Sequence, residues 1–345
     1  MNSKNLNILV TCVGGDNGVE IINQIKTNKF VKRTKIVGID IKKNVVAKKF
    51  LDFYYKISNT PKNNYIKSLE KIVKMHKINI ILALSDEESL TLSKHFQLNK
   101  QVKVATSSYH TLKILSNKIK TYEILEKNKI KLPKWKPINK EKDFISSIKY
   151  FEKIKKNFCV KPAVSRGGRN VYVIDNTIKN TLSFQNSREK HLSLKEFKKN
   201  YKTFFSRKKY PLIMMERLKP PVYDLDLLSK NGKLITFACR KRIHSALPNK
   251  GHIIIKKKKL VELSKRLCKI FNLNYLHDCD LMQNEKNEFM ILEINPRPSG
   301  SFVVAEVAGY PIIENMLKIY KNVRNFRKPK FIFNKVIPYQ SLINY

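Results

Sequence analysis

Residues 289–300 read FMILEINPRPSG, and the reading of this stretch decides the fold. An apolar run enters it, after which Glu293, Asn295 and Arg297 alternate with Ile294 and Pro296. In a strand, side chains two apart share a face, so a carboxylate, an amide and a guanidinium point into one space. Hard cations such as Mg2+ take oxygen ligands and complete their shell with substrate phosphates, while a planar Arg fork grips phosphate or carboxylate oxygens. A strand ending in a solvated turn would explain the Pro and Gly, but it requires no acid, amide and Arg in register.

Upstream, residues 276–282 and 288–294 read as two strands around the polar turn 283–287. Asp280 then stands beside Glu293, and Asp278 shares its face. Carboxylates gathered inside a protein cost energy unless a cation joins them, which assigns Mg2+ to Asp280, Glu293 and Asn295. Lys161 ends the apolar strand FCVKP directly before Ser165, Arg166, Gly167, Gly168 and Arg169. A Lys on a strand beside a loop of exposed backbone amides suits polyphosphate, although no GxxxxGK[ST] loop is present.

The N-terminus opens on a buried strand, 7–12, a glycine turn and a helix carrying Val19, Ile22 and Ile25, followed by a strand, 35–41. This is a right-handed parallel unit. The turn reads VGGDNG rather than G-x-G-x-x-G, so its glycines serve a tight turn and not a nicotinamide cofactor. Alternation continues through a helix at 65–76, a strand at 78–84, and a helix behind Asp86, Glu87 and Glu88. Residues 111–128 read as one helix, which enters the next domain. Residues 176–210, polar and weakly periodic, read as an insertion or a mobile segment. Strands resume at 212–218, 224–228 and 234–242, with Asn231-Gly232 as a hairpin turn, and 260–271 is an amphipathic helix.

Composition bounds the rest. The 345 residues exceed one typical domain, and 42% hydrophobic content marks a globular protein. Five scattered cysteines without a CxxC pair read as buried free thiols. MNSKNLNILV runs straight into a strand and no run reaches membrane-span length, so the expectation is cytoplasmic and without a membrane partner. With 70 Lys plus Arg against 27 Asp plus Glu, the net charge of +43 attracts polyanions. Basic residues cluster at 207–209, 256–259 and 318–330 but also cover every predicted helix, and no aromatic-interleaved basic strand stands out, so solvated lysine is preferred over a nucleic-acid surface.

Together the order and spacing resemble the ATP-grasp superfamily, particularly its carbamoyl-phosphate-synthase-like branch, over nearly the whole chain. The resemblance implies an α/β and α+β fold: a Rossmann-like pre-ATP-grasp domain at 1–108, then a two-lobed ATP-grasp fold at 109–211 and 212–325, and a basic tail at 326–345. It implies ATP as cosubstrate with Mg2+, or Mn2+ in its place. Lys118 and Lys161 take the two lysine positions, and Ser165, Gly167 and Gly168 the loop over the phosphates. Glu216, Arg217 and Leu218 take the adenine edge. Where relatives carry Gly-x-Glu, this chain has Pro220 to Asp224, so ribose contact falls to Asp224 or Asp226. Asp280, Glu293 and Asn295 take the metal positions, Arg297 meets phosphate and the acyl intermediate, and Arg240 and Arg242 face substrate. The implied activity is ligation of a small-molecule carboxylate to an amine through an acyl phosphate, in a chain whose relatives often dimerise. Rival readings are a carboxylase or carbamoyl-phosphate-type enzyme, and a basic nucleic-acid-binding protein on an ATP-grasp frame. His244 and His252, bracketing residues 245–251, are candidate bases, and Ser299 to Ser301 a candidate cradle for the substrate carboxylate.

Overall fold

The computed structural model describes residues 6–31, 33–60, 63–96, 101–165, 170–175, 177, 189–206 and 211–339. Gly167, Gly168 and the basic run 207–209 lie outside the described residues. Contacts divide the chain into two compact units, one holding 1–113, 221–281 and 294–345, the other 114–220 and 282–293.

The first unit begins with strands β1 (Leu6–Thr11), β2 (Thr34–Asp40), β3 (Phe53–Lys56), β4 (Ile80–Leu82) and β5 (Lys103–Val104). They form a parallel sheet of order β3-β2-β1-β4-β5. Alternation along β1 sends Leu6, Ile8 and Val10 to one core with Ile21, Ile22 and Ile25 of α1 (Gly18–Lys26). Leu9 goes to the opposite core with Leu69 and Val73 of α2 (Asn63–His76) and Leu92 of α3 (Asp86–Phe96). Burial of both faces explains why Ile8, Leu9 and Val10 are apolar in succession.

At the turn after β1, a Cβ on Gly18 would lie 1.9 Å from the Val13 carbonyl oxygen, so the backbone approach excludes any side chain. Asp40, at the end of β2, accepts the Gly14 N–H at 2.8 Å. Glu88 anchors α3 by accepting from Thr11 Oγ1 (2.6 Å), Cys12 Sγ (3.0 Å), Tyr65 OH (2.9 Å) and Ser85 Oγ (2.9 Å). A buried carboxylate this fully satisfied locks three segments to one point.

Residues 111–128 form two helices rather than the one expected: α4 (Tyr109–Leu115) and α5 (Lys118–Lys127). Asn117 breaks the run because its side chain accepts from the Ile119 and Lys120 N–H groups and caps α5.

In the second unit, β6 (Trp135–Ile138), β7 (Phe158–Pro162), β8 (Val171–Ile174), β9 (Glu189–Leu192) and β10 (Leu212–Glu216) assemble in the order β6-β10-β7-β8-β9. Helices α6 (Glu141–Lys153) and α7 (Leu194–Ser206) cover this sheet with Phe144, Phe151 and Phe197. Within 176–210, read from the sequence as an insertion or a mobile segment, residues 189–192 form a strand and 194–206 a helix. Phe197 is fully buried and Tyr201 stacks on Phe144 at 4.9 Å, so a few aromatic anchors hold a helix that also carries Lys195, Lys198, Lys199 and Lys202.

A third sheet comprises β11 (Lys219–Lys230), β12 (Lys233–Arg242), β13 (His252–Ile254), β14 (Tyr275–Gln283), β15 (Phe289–Asn295) and β16 (Lys335–Val336), in the order β15-β14-β11-β12-β13-β16. Pro220 and Pro221 sit at the start of β11, where a missing N–H is tolerated. Asn231 (φ 48) and Gly232 (φ 72) make the β11–β12 turn, both left-handed as a two-residue hairpin demands. Helices α8 (Lys258–Ile270), α9 (Val303–Val307) and α10 (Ile312–Tyr320) follow. Leu228, Ala238, Phe302 and Ile313 share one core with β1 and α1, so the N-terminal sheet and this sheet are a single packed body.

Gly18→Ala is expected to cost about 2 kcal/mol through the forced backbone contact and to lower the melting temperature by several degrees. Gly15→Ala, whose Cβ would meet only Cys12 O at an ordinary 3.5 Å, should melt like the parent.

Candidate active site

Strand register places the charged residues of the third sheet on one face. Asp224 lies opposite Arg240, Asp226 opposite Ala238, and Arg242 opposite His252. Each guanidinium reaches along a diagonal. Arg240 donates from Nε (2.6 Å) and Nη2 (2.9 Å) to Asp226, and Arg242 donates from Nε to both Asp224 oxygens at 3.1 and 3.0 Å. From β14, Asp280 joins by accepting from Arg242 Nη2 at 2.8 Å. Arg240 is wholly buried and also donates to Ser301 Oγ at 3.0 Å. Burial alone would raise the Asp224 pKa, but the Arg242 and Arg240 guanidiniums outweigh it and hold the carboxyl well below its usual range. His252, far from a solvated loop position, is buried on this face with Nε2 3.3 Å from Asp224. Burial lowers its pKa and keeps it neutral.

Asp278 stands apart in its pairing. It is 2% exposed, and its Oδ2 accepts from Asn295 Nδ2 at 3.0 Å. Its Oδ1 has no hydrogen-bond partner among the described residues. Burial, then Asp280, Asp224 and Asp226, push its pKa well up. One oxygen each from Asp224, Asp278 and Asp280 lies within 4.8 Å of the others. An all-oxygen cluster with an unsatisfied buried acceptor fits a hard divalent cation.

Arg297 follows β15 and is set by the N-terminal sheet's own elements: its Nε meets Asp86, at the start of α3, at 2.8 Å, and its Nη1 donates to Pro298 O at 2.9 Å. Asn17, in the glycine turn, donates to Gly300 O at 2.7 Å. Ser299 and Ser301 hydrogen-bond each other at 3.1 Å.

Within the second unit, Lys118 is 7% exposed and donates to Ser165 O at 2.7 Å, with Glu293 at 3.2 Å. Tyr122, one turn along α5, donates to the carbonyls of Ile291 (2.8 Å) and Leu292 (3.0 Å), which fixes the segment bearing Glu293. Lys161 lies on β7 opposite Ile213, and Met215 opposite Cys159. Arg217 holds Glu189 through both terminal nitrogens at 3.3 and 3.1 Å. Glu216 accepts from Lys134 N at 3.2 Å and lies 3.6 Å from Lys156.

The structure thus brings together Asp224, Arg240, Arg242 and Asp280 in the first unit, with Asn295 tied in through Asp278. It brings together Lys118, Ser165 and Glu293 in the second. Asp224 is fully buried and ion-paired, a placement suited to holding Arg242 rather than to meeting a sugar. Sequence reasoning missed Asp86 as the partner of Arg297, since no local pattern links positions so far apart. It named Asp278 only as sharing a face; the two-residue spacing in HDCDLM was the available signal.

Residues 208–337 match the family described as ATP-grasp in the biosynthetic pathway with Ter operon, and residues 8–106 match the PylC-like N-terminal domain. The chain accordingly carries an ATP-grasp domain behind a PylC-like N-terminal domain. Its fold is similar to the biotin carboxylase domain of Hydrogenobacter thermophilus 2-oxoglutarate carboxylase, solved with MgADP, ADP and bicarbonate (TM-score 0.72, 13% identity, covering 94% of this chain and 72% of that one). It is also similar to Staphylococcus aureus N5-carboxyaminoimidazole synthetase complexed with ADP (0.68, 15%, 93% and 79%) and Bacillus licheniformis L-amino acid ligase (0.63, 13%, 92% and 75%). Among curated proteins there is no significant match. No helix among the described residues is long and apolar enough to cross a membrane.

Arg240→Met is expected to destabilise the protein by about 3–5 kcal/mol, because it strands Asp226 in the interior. The double variant Arg240→Met/Asp226→Leu should recover most of that loss in urea unfolding, which a purely steric role for Arg240 would not allow.

Proposed function

We propose that this protein is an ATP-dependent ligase that activates a small-molecule carboxylate as an acyl phosphate and transfers the acyl group to an amine, releasing ADP and phosphate. The observation that carries this reading is the position of Arg242, a guanidinium held between Asp224 and Asp280, on the same sheet face as the carboxylates suited to a divalent ion. Carboxylate activation by ATP needs that pairing, a fixed cation for anionic substrate beside oxygen ligands for Mg2+.

In this reading Lys118 and Lys161 neutralise phosphate oxygens, with Ser165 beside them. The main chain of Glu216, Arg217 and Leu218 reads the adenine edge. Asp280 and Asn295, with Glu293 two residues before Asn295 on β15, would hold Mg2+, whose charge screens the triphosphate. A substrate carboxylate oxygen attacks the γ-phosphorus while the bond to the ADP oxygen breaks, a transfer governed by positioning and charge neutralisation. Arg242 and Arg297 then stabilise the oxyanion formed as the amine attacks the acyl carbon, and phosphate departs. Arg240, buried and paired, supports Arg242 and Ser301 from beneath.

The similarity to carboxylases supports one second reading, in which bicarbonate is the activated acid. A panel of amino acids, other carboxylic acids and bicarbonate, each with and without amines, separates the two by Mg2+-dependent ADP release. An amine-dependent product with an organic acid is expected, and stimulation by bicarbonate alone would favour the carboxylase. Lys161→Ala and Glu293→Gln should each lower turnover by at least about a hundredfold while leaving the far-UV circular dichroism unchanged. Wild-type turnover in both variants would remove these residues from the mechanism.

A further inference from the structure

After α10 the chain runs without a helix through 323–339 and supplies β16, the edge strand of the third sheet. The course of this strap is fixed by its backbone. The Asn315 side chain accepts the Arg327 N–H and donates to the Arg327 carbonyl, each at 2.8 Å. The Phe333 N–H donates to Ala308 O at 2.9 Å, and Asn334 O accepts from Ile254 N at 2.7 Å. Gly309 (φ 105) lets the strap pass, since a Cβ there would lie 2.2 Å from the Phe331 carbonyl oxygen.

Phe326, Ile332 and Val336 turn inward and pack against the core shared with β1 and α1. On a solvated strap the remaining positions would be polar. Instead Phe331, Phe333, Ile337 and Tyr339 are 67%, 56%, 60% and 88% exposed. Phe331 and Phe333 meet edge to face with ring centroids 4.9 Å apart. Among these side chains Arg324, Lys328, Lys330 and Lys335 are exposed, and residues 315–345 contain no Asp or Glu. Exposed apolar side chains scattered singly need no explanation, but a group held at fixed positions among charges of one sign marks an interaction surface.

The occupant must accept apolar side chains and offer negative charge. A second copy of this face would set like charges against each other. Single-stranded nucleic acid offers the charge, but it has no use for Ile337, and in an edge-to-face pair one ring covers the face of the other, which makes a poor platform for stacked bases. An anionic bilayer meets both demands: aromatic and aliphatic side chains enter the boundary between headgroups and acyl chains, while Lys and Arg stay at the phosphates. Lying on a bilayer takes no long apolar helix, so the lack of a spanning helix among the described residues does not bear on it.

We propose that the strap 324–339 is a peripheral anchor for an anionic membrane surface. Phe331, Phe333, Ile337 and Tyr339 insert, and Arg324, Lys328, Lys330 and Lys335 meet lipid phosphates. This departs from the sequence-based expectation of no membrane partner, which rested on the absence of a spanning run, and it is independent of the ligase chemistry.

The test is co-sedimentation of the full chain with vesicles of phosphatidylcholine and phosphatidylglycerol in equal parts. A chain of net charge +43 is drawn to any anionic surface, so the deciding comparison holds charge constant. Phe331→Ser/Phe333→Ser should bind at least about tenfold more weakly than the parent. In Phe333→Trp, addition of vesicles should shift the emission of the new indole to the blue, over the background of Trp135 in the parent. Equal binding by the double variant would mean attraction by charge alone and overturns the proposal, as does a parent that fails to bind. Loss of oligonucleotide binding in the double variant with vesicle binding intact also overturns it and reassigns the strap to nucleic acid. The substituted side chains are exposed, so both variants should melt with the parent. If the double variant unfolds, Phe333→Trp carries the test, and an unshifted emission overturns the proposal.

Discussion

The diagonal pairing of Arg240 with Asp226 and Arg242 with Asp224 is the constraint on which the rest of the molecule depends. Two guanidiniums and the carboxylates around them are held on the inner face of a sheet, where each ion would be costly alone. Removing one partner leaves a stranded charge, so the set stands or falls together. Hydrophobic residues of similar volume would pack as well or better, which makes stability a poor reason for the set to be there. Its reason is positional: a bidentate, buried anchor fixes the plane and reach of Arg242 far more closely than a solvated arginine could.

The N-terminal sheet supports the same face from the other direction. Glu88 ties α3 to the end of β1 and to α2, and Asp86, two residues earlier, meets Arg297. Asn17 in the glycine turn reaches Gly300. A domain that sequence alone presents as a separate Rossmann-like unit therefore shares a core with the third sheet and sets the orientation of an arginine in the site. The glycines near 14–18 serve this architecture. Their close backbone approach leaves no room at Gly18 for a side chain, and the nearby Asp40 carboxylate is occupied by the Gly14 amide.

What the sequence made legible was whatever is written in short-range alternation. The acid, amide and arginine of 289–300, the FCVKP strand, the Asn231-Gly232 hairpin and the parallel start of the chain all depend on neighbours two to four residues apart. Other features escaped because they depend on distant contacts. Asn117 ends a helical pattern by capping, which an apolar stripe through Leu115 and Ile119 conceals. The 194–206 helix is held by Phe197 and Tyr201 against Phe144, and its lysines masked that stripe. Arg240 was legible as basic but not as buried, because burial follows from Asp226 across a hairpin. Asp86 and Arg297 are joined only by the fold.

The two clusters also differ in what they ask of chemistry. In the second unit a buried lysine, Lys118, is held between the Ser165 carbonyl and Glu293. In the first unit the Arg242 guanidinium is held between the carboxylates of Asp224 and Asp280. The most direct measurement of that account is the fate of oxygen in the substrate acid. An 18O-labelled carboxylic acid, once identified as a substrate, should deliver one labelled oxygen into the released phosphate, as transfer through an acyl phosphate requires. Unlabelled phosphate accompanying product formation would contradict it.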